Sequence, residues 1–340
     1  MQRSLEQGVA AHRGPFRNRQ TITERFGYPA IIGLLLLATV LQTPLYAEEF
    51  DYPIKQVTDK IQVIFGPLDL PDSNNRGYRN NVGIVRCDNG IVLVDPGGSA
   101  WAGEMVARKV KSLHDMPVVA VFNSHAHGDH WLGNEGIKRH FPDAVIYGHP
   151  KMKARLEGGF GSTWLDTINR LTDNLADGRE VVAPDEVVND GDVITVGDTR
   201  FRVIHTGSAH TDNDIMVEVV GEDAIFTGDV VRNQFLGLME EDASFLGNVE
   251  AIDKILALDF SYYIPGHGEA SGAALPSGYR DYLKTLRDLV AEMFDEGMES
   301  YEMKPRIVEA MSKYRHWSGF DMRLGAHISR VYLEVEQDEF

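Results

Sequence analysis

The sequence predicts an α/β fold in which two mixed sheets pack face to face with helices outside, a four-layer αββα sandwich, followed by a C-terminal helical extension. Three observations carry this. Short β-branched runs give way to helical patterns twice, once before residue 180 and once after. The run Val118–Phe122 ends in Asn123-Ser124-His125-Ala126-His127-Gly128-Asp129-His130, a loop that aims imidazoles and a carboxylate from a strand end. The stretch beyond residue 275 has a helical period throughout. A hydrophobic content of 43% over 340 residues suffices for one large core.

The first 47 residues differ from the rest. Five arginines against two glutamates make them +3, the apolar run Ala30–Leu41 follows, and Leu45-Tyr46-Ala47 closes the segment before Glu48. A positive start, a short apolar centre and a small-residue end read as a secretory signal peptide; a paired-arginine signal is missing. Residues 1–47 are therefore expected to be removed. The apolar run is short for a membrane anchor, so no stable insertion is expected after cleavage. The destination would be periplasmic or secreted. Cys87 is the only cysteine, which excludes an intrachain disulfide and reads as a small packed strand residue.

Residues 48–272 are expected to form the sandwich. Strand runs fall at 60–65, 82–87 and 91–94, with Asp88-Asn89-Gly90 as a hairpin turn between the last two. A helix over 101–113 follows, then strand 118–122, a short helix at 135–140 and strand 144–147. A helical stretch from 151 to 175 is interrupted at Gly158-Gly159-Phe160-Gly161, which reads as a loop near a site. Strands resume at 192–196, 201–205, 215–220 and 224–227, then a helix at 249–258 and strand 262–264. Residues 273–340 form the extension. Tyr279, Tyr282, Leu283, Leu286, Leu289, Val290, Met293 and Phe294 make one apolar helical face, Pro305 is expected to start a second helix, and 321–335 a third. These helices cover the core, shape a pocket or form a homodimer contact.

Imidazole and carboxylate ligands suit a divalent transition metal, and a catalytic site keeps a position open. Three further candidates sit at strand ends beside glycines: His210 in Gly207-Ser208-Ala209-His210, Asp229 in Thr227-Gly228-Asp229, and His267 in Pro265-Gly266-His267-Gly268. A structural zinc site is usually a closed, cysteine-rich set, so these donors fit catalysis better.

These motifs, with Asp95 in Val94-Asp95-Pro96-Gly97, resemble the metallo-β-lactamase-fold superfamily over residues 55–270 and follow its order. The resemblance implies two zinc ions per chain. His125, His127 and His210 would bind one, Asp129, His130 and His267 the other, and Asp229 would bridge them. A shared hydroxide would then attack an ester, thioester, lactone or related carbonyl bond, with Asp129 orienting it or passing a proton to the leaving group. Asp95 would accept the second N–H of a ligand imidazole.

Histidine rather than glutamate at 127 argues against the flavodiiron branch, and Asp229 stands where some β-lactamases carry cysteine. The chain thus looks more like the glyoxalase II and lactonase branch, and like exported zinc metallohydrolases. Three alternatives stay open: a mononuclear iron persulfide dioxygenase-like oxidoreductase, a β-lactamase, and a binding protein with a degenerate site.

The remaining histidines, including His149 and His205, read as structural. Arg232, Asn233 and Phe235 follow Asp229 and are candidate substrate contacts. A formal charge of −18 points to a small-molecule substrate rather than nucleic acid, which needs clustered cations.

Overall fold

The computed structural model describes residues 52–338. The expected signal peptide lies outside them. The first sheet holds β1 (Ile54–Gln56), β2 (Ile61–Ile64), β3 (Val82–Cys87), β4 (Gly90–Val94), β5 (Val118–Phe122), β6 (Val145–Gly148) and β7 (Glu186–Val187), in that spatial order. It is antiparallel through β4 and parallel from β4 onward. The second sheet orders β12 (Tyr262–Pro265), β11 (Ala224–Gly228), β10 (Met216–Val220), β9 (Thr199–Ile204) and β8 (Val193–Val196), with β11 and β12 parallel.

Strand alternation builds the layers, because successive side chains point to opposite faces. On β3, Val85 and Cys87 face the second sheet's Phe201, Val203, Val217 and Phe226. Ile84 and Val82 face the other way, onto Met105, Val106 and Val110 of α1 (Ala100–Leu113). The second sheet's outer face presents Ile204, Met216 and Ile225 to α6 (Phe245–Leu256) and to the C-terminal helices. Two mixed sheets with flanking helices are thus the architecture, and Cys87 is a buried, unpaired core residue.

The connecting helices are α2 (Gly128–Trp131), α3 (Asn134–His140), α4 (Pro150–Arg155) and α5 (Gly161–Leu171). The helical stretch is interrupted at Gly158-Gly159-Phe160-Gly161 as expected, but by a kink rather than an open loop: Gly159 leaves the helical conformation at φ 103°, and α4 and α5 meet across it. β1, β7 and α2 are too short to leave a periodic signal.

The C-terminal helices are α7 (Ala274–Asp295), α8 (Ser300–Ala310) and α9 (Phe320–Asp338). The apolar face of α7 packs as its spacing predicts, burying Tyr279, Tyr282, Leu283, Leu286, Val290 and Met293. Pro305 does not start a helix: α8 begins five residues earlier, where Glu299 and Glu302 cap each other's backbone N–H groups. The carbonyl that Pro305 leaves without a partner belongs to the exposed Tyr301, where water reaches it. Among the described residues no helix is long and apolar enough to cross a membrane.

Candidate metal centre

Parallel pairing sets the site. β4 and β5 run side by side, so Asp95 and the His-rich loop leave adjacent strand ends together. β11 and β12 do the same for Asp229 and His267. Asn81 stitches the two sheets by donating its side-chain amide to Pro265 O and Gly268 O. Asp129 and His130 fall in the single turn of α2, and His127 stands at its N-terminal end. Asn123 holds that turn through His130 O at 3.1 Å, and Trp131 Nε1 donates to Ala126 O. Gly266 has to lack a side chain, since a Cβ there would sit 2.0 Å from Asp229 Oδ1.

The seven predicted donors converge and are buried. His125, His127 and His210 form one triad, Asp129, His130 and His267 another, and Asp229 groups with His125 and His130 between them. Within each group the ligand atoms lie within 4.8 Å of one another. Asp229 Oδ1 is 3.4 Å from His130 Nε2 and 3.5 Å from His267 Nε2, while Oδ2 is 3.7 Å from His210 Nε2. His267 Nε2 is also 3.2 Å from Asp129 Oδ2.

Outer partners fix the rings. His130 Nδ1 donates to Asp95 Oδ2 at 2.8 Å, and Asp95 also accepts from the Ser124 N–H and hydroxyl at 2.7 Å each. His267 Nδ1 faces Arg79 O at 3.2 Å, and His125 Nδ1 lies 2.9 Å from Ser124 Oγ. Their other nitrogens then point inward, and in a neutral ring each is an acceptor. His125 Nε2, His130 Nε2 and Asp229 Oδ1 are buried without a hydrogen-bond partner. Buried acceptors left unpaired are costly, and a cation satisfies several together. The donor set therefore fits two divalent metal ions.

Electrostatics agree. Burial, with His130 and His127 nearby, drives His125 well below the usual imidazole range and keeps it neutral; burial and Arg232 do the same to His210. Burial alone would lower His130 too, but Asp229, Asp95 and Asp129 push it up to about 9. A concentration of negative charge that holds a proton this firmly also suits a metal ion. Asp129 stays ionised: burial raises its pKa, and His130, His267 and Arg79 outweigh that.

The site floors a cavity of about 540 Å³ lined by His127, Asp129, Asp229 and His267. Arg232 and Phe235 line it as well. Arg232 is nonetheless committed elsewhere: Nε and Nη2 donate to Asp229 Oδ2 at 3.0 and 2.9 Å. Asn233 is not a lining residue and donates instead to Glu269 O. His149 and His205 stack on each other away from the donors, 4.2 Å apart. Sequence reasoning missed Glu240, whose carboxylate lies 3.5 Å from His127 Nε2, and Arg79 and Arg323 in the cavity wall. All three come from irregular segments or a helix start, where no motif marks them.

Fold and site together define an αββα protein with a histidine-rich candidate dinuclear metal centre. A model of the metallo-beta-lactamase superfamily matches residues 75–267, and the chain belongs to that superfamily. It is 25% identical over 186 residues to a hydroxyacylglutathione hydrolase of Francisella tularensis subsp. novicida, and 24% to one of subsp. holarctica. Each match spans 54% of this chain and 61% of the relative's length. Among solved structures, a metallo-beta-lactamase from Pontibacter korlensis superposes with a TM-score of 0.55 at 17% identity, covering 68% of this chain and 98% of that one. Metallo-beta-lactamase IND-7 also gives 0.55, at 20% identity with 69% and 98% covered. These two likenesses speak for the fold alone.

Proposed function

We propose that this protein is an exported metal-dependent hydrolase that cleaves an ester, thioester, lactone or related carbonyl bond. The observation that carries this is the convergence of seven buried His and Asp donors, with unpaired acceptor atoms, on the floor of an open cavity. The similarity to hydroxyacylglutathione hydrolases favours an acyl compound as substrate. The export part rests on the N-terminal sequence and is tested by cell fractionation.

His125, His127 and His210 would hold one ion, Asp129, His130 and His267 the other, and Asp229 would be shared, with zinc the ion best matched to this ligand set. Two such ions supply Lewis acidity, which polarises a carbonyl and brings the pKa of water toward neutrality. The chain's own residues do the rest. Asp129 lines the cavity as an ionised carboxylate, so its free acceptor capacity serves to orient a water or take its proton. Asp95 keeps His130 in one tautomer and orientation. Trp164, 5.7 Å from the His127 ring, and Phe235, 5.0 Å from the His267 ring, restrict water around the reacting centre.

The test is a hydrolysis panel of thioesters, lactones, aryl esters and β-lactams, run before and after chelation. Turnover of at least one class, lost with a chelator, restored by zinc and absent in Asp129→Ala, supports the proposal. Turnover by Asp129→Ala equal to the parent rejects the role given to Asp129.

A further inference from the structure

Two arginines in the cavity wall are poorly compensated by acidic groups. The Arg79 side chain is only 11% exposed, yet its Nε and Nη2 are buried without a hydrogen bond. Its nearest carboxylate oxygen, Asp129 Oδ2, lies 3.8 Å from Nε, beyond hydrogen-bonding distance. The guanidinium instead rests over the Phe235 ring, 5.3 Å from its centroid. Arg323, half-buried in the first turn of α9, makes no ion pair among the described residues.

In this chain that is unusual. Acidic residues outnumber Lys and Arg by 51 to 33, and other arginines with partly buried side chains are paired: Arg139 with Glu104, Glu135 and Asp177, Arg155 with Glu240 and Asp242, Arg280 with Asp253. Asp69 also lines the cavity, but it is exposed and not within ion-pair distance of either arginine. Burial, with Arg79 and Arg232 nearby, depresses the Arg323 pKa, so the three guanidinium groups repel one another. Arg232 offsets its share through Asp229. Arg79 has only its 3.8 Å approach to Asp129, with no hydrogen bond, and Arg323 has no ion pair among the described residues; burying a charge this poorly compensated is costly unless a ligand completes it.

We infer that Arg79 and Arg323 form an anion subsite beside the candidate metal centre, and that the substrate is an amphipathic acyl compound carrying a carboxylate or similar oxyanion. A guanidinium presents a planar fork of N–H donors that matches such a group, and Phe235 holds the fork of Arg79 in place. Leu70, Trp164, Leu171 and Met322 supply an apolar wall for the body of the substrate. The position of Arg79 beside Asp129 puts the anion a short spacer away from the scissile carbonyl. This rests on the hydrolase reading of the same cavity.

The test separates binding from turnover. Calorimetry on the metal-loaded protein compares 2-phenylethanesulfonate, an anion that ligates metals weakly, with neutral 2-phenylethanol. Kinetics compare monophenyl glutarate with its neutral methyl ester. The subsite predicts at least tenfold tighter binding of the sulfonate and at least tenfold higher kcat/KM for the free acid, mainly through KM. Both preferences should shrink in Arg323→Gln, which burdens the fold least, and vanish in Arg79→Gln/Arg323→Gln. Equal binding of the two probes, or a preference unchanged in both variants, overturns the subsite. Sulfonate binding without hydrolysis of either ester leaves the subsite standing and counts against the hydrolase; hydrolysis of both esters with no arginine-dependent preference does the reverse.

Discussion

Arg232 grips Asp229 Oδ2 with two N–H groups, at 3.0 and 2.9 Å, and the same guanidinium reaches Tyr279 Oη on α7 at 3.3 Å. Its Nη2 also lies 3.0 and 3.2 Å from the two ring nitrogens of His210, facing the ring rather than a single lone pair. One buried cation thus ties the carboxylate proposed to be shared by both metals to the C-terminal helices. It leaves Oδ1, the unpaired oxygen, directed at His130 and His267.

Arg232→Met should loosen Asp229 and leave its charge less compensated. Outer partners of metal ligands are typically worth about 10–100-fold in affinity. Metal affinity measured by chelator competition should fall within that range, and Arg232→Lys should lie between, because an ammonium keeps the charge but cannot reproduce both N–H bonds to Oδ2 together with the reach to Tyr279. An affinity equal to the parent's would show that Arg232 does not position Asp229.

Asp95→Asn probes the other side of the centre. The amide has one acceptor oxygen where the carboxylate uses two, for the Ser124 N–H on Oδ1 and for the Ser124 hydroxyl and His130 Nδ1 on Oδ2. The expected result is an affinity loss of about 10–100-fold, concentrated in one of two metals. Loss of neither metal in a stoichiometric titration would remove Asp95 from the account.

The candidate ligands were legible in the sequence because each follows a short apolar strand and most stand beside glycines. The parallel pairs β4–β5 and β11–β12 then bring the strand ends together without further information. The surroundings of those residues were less legible. Nothing in Asp229-Val230-Val231-Arg232 says whether the guanidinium turns outward to a ligand or back to its own loop; that depends on Tyr279, 47 positions away. Arg79 lies in an irregular segment between β2 and β3, and the orientation of its side chain depends on Phe235. Pro305 misled because a capping box upstream outweighed a missing N–H near an exposed helix start.

His327 gives a pH signature independent of the metals. It is fully buried, accepts from Tyr282 Oη on Nδ1 at 2.8 Å and donates from Nε2 to Gly237 O at 2.9 Å, a neutral tautomer with both partners met. Burial, with Arg232 and Arg323 adding, lowers its pKa to about 3. The unfolded chain takes up this proton near pH 6.5, while the native state resists until about 3. Stability from this residue is therefore complete above 6.5 and is lost as pH falls toward 3, at up to about 1.4 kcal/mol per unit. His327→Gln keeps an acceptor and a donor without titrating. Denaturant melts between pH 7 and 4.5 should show a shallower loss for the variant; parallel curves would contradict the assignment.

The most direct test is metal content of the purified protein, measured together with turnover on the hydrolysis panel. The account predicts two divalent ions per chain, zinc foremost, hydrolysis that disappears when they are removed, and a fall to at most one ion in Asp229→Ala. One iron per chain with oxygen consumption and no hydrolysis would contradict it.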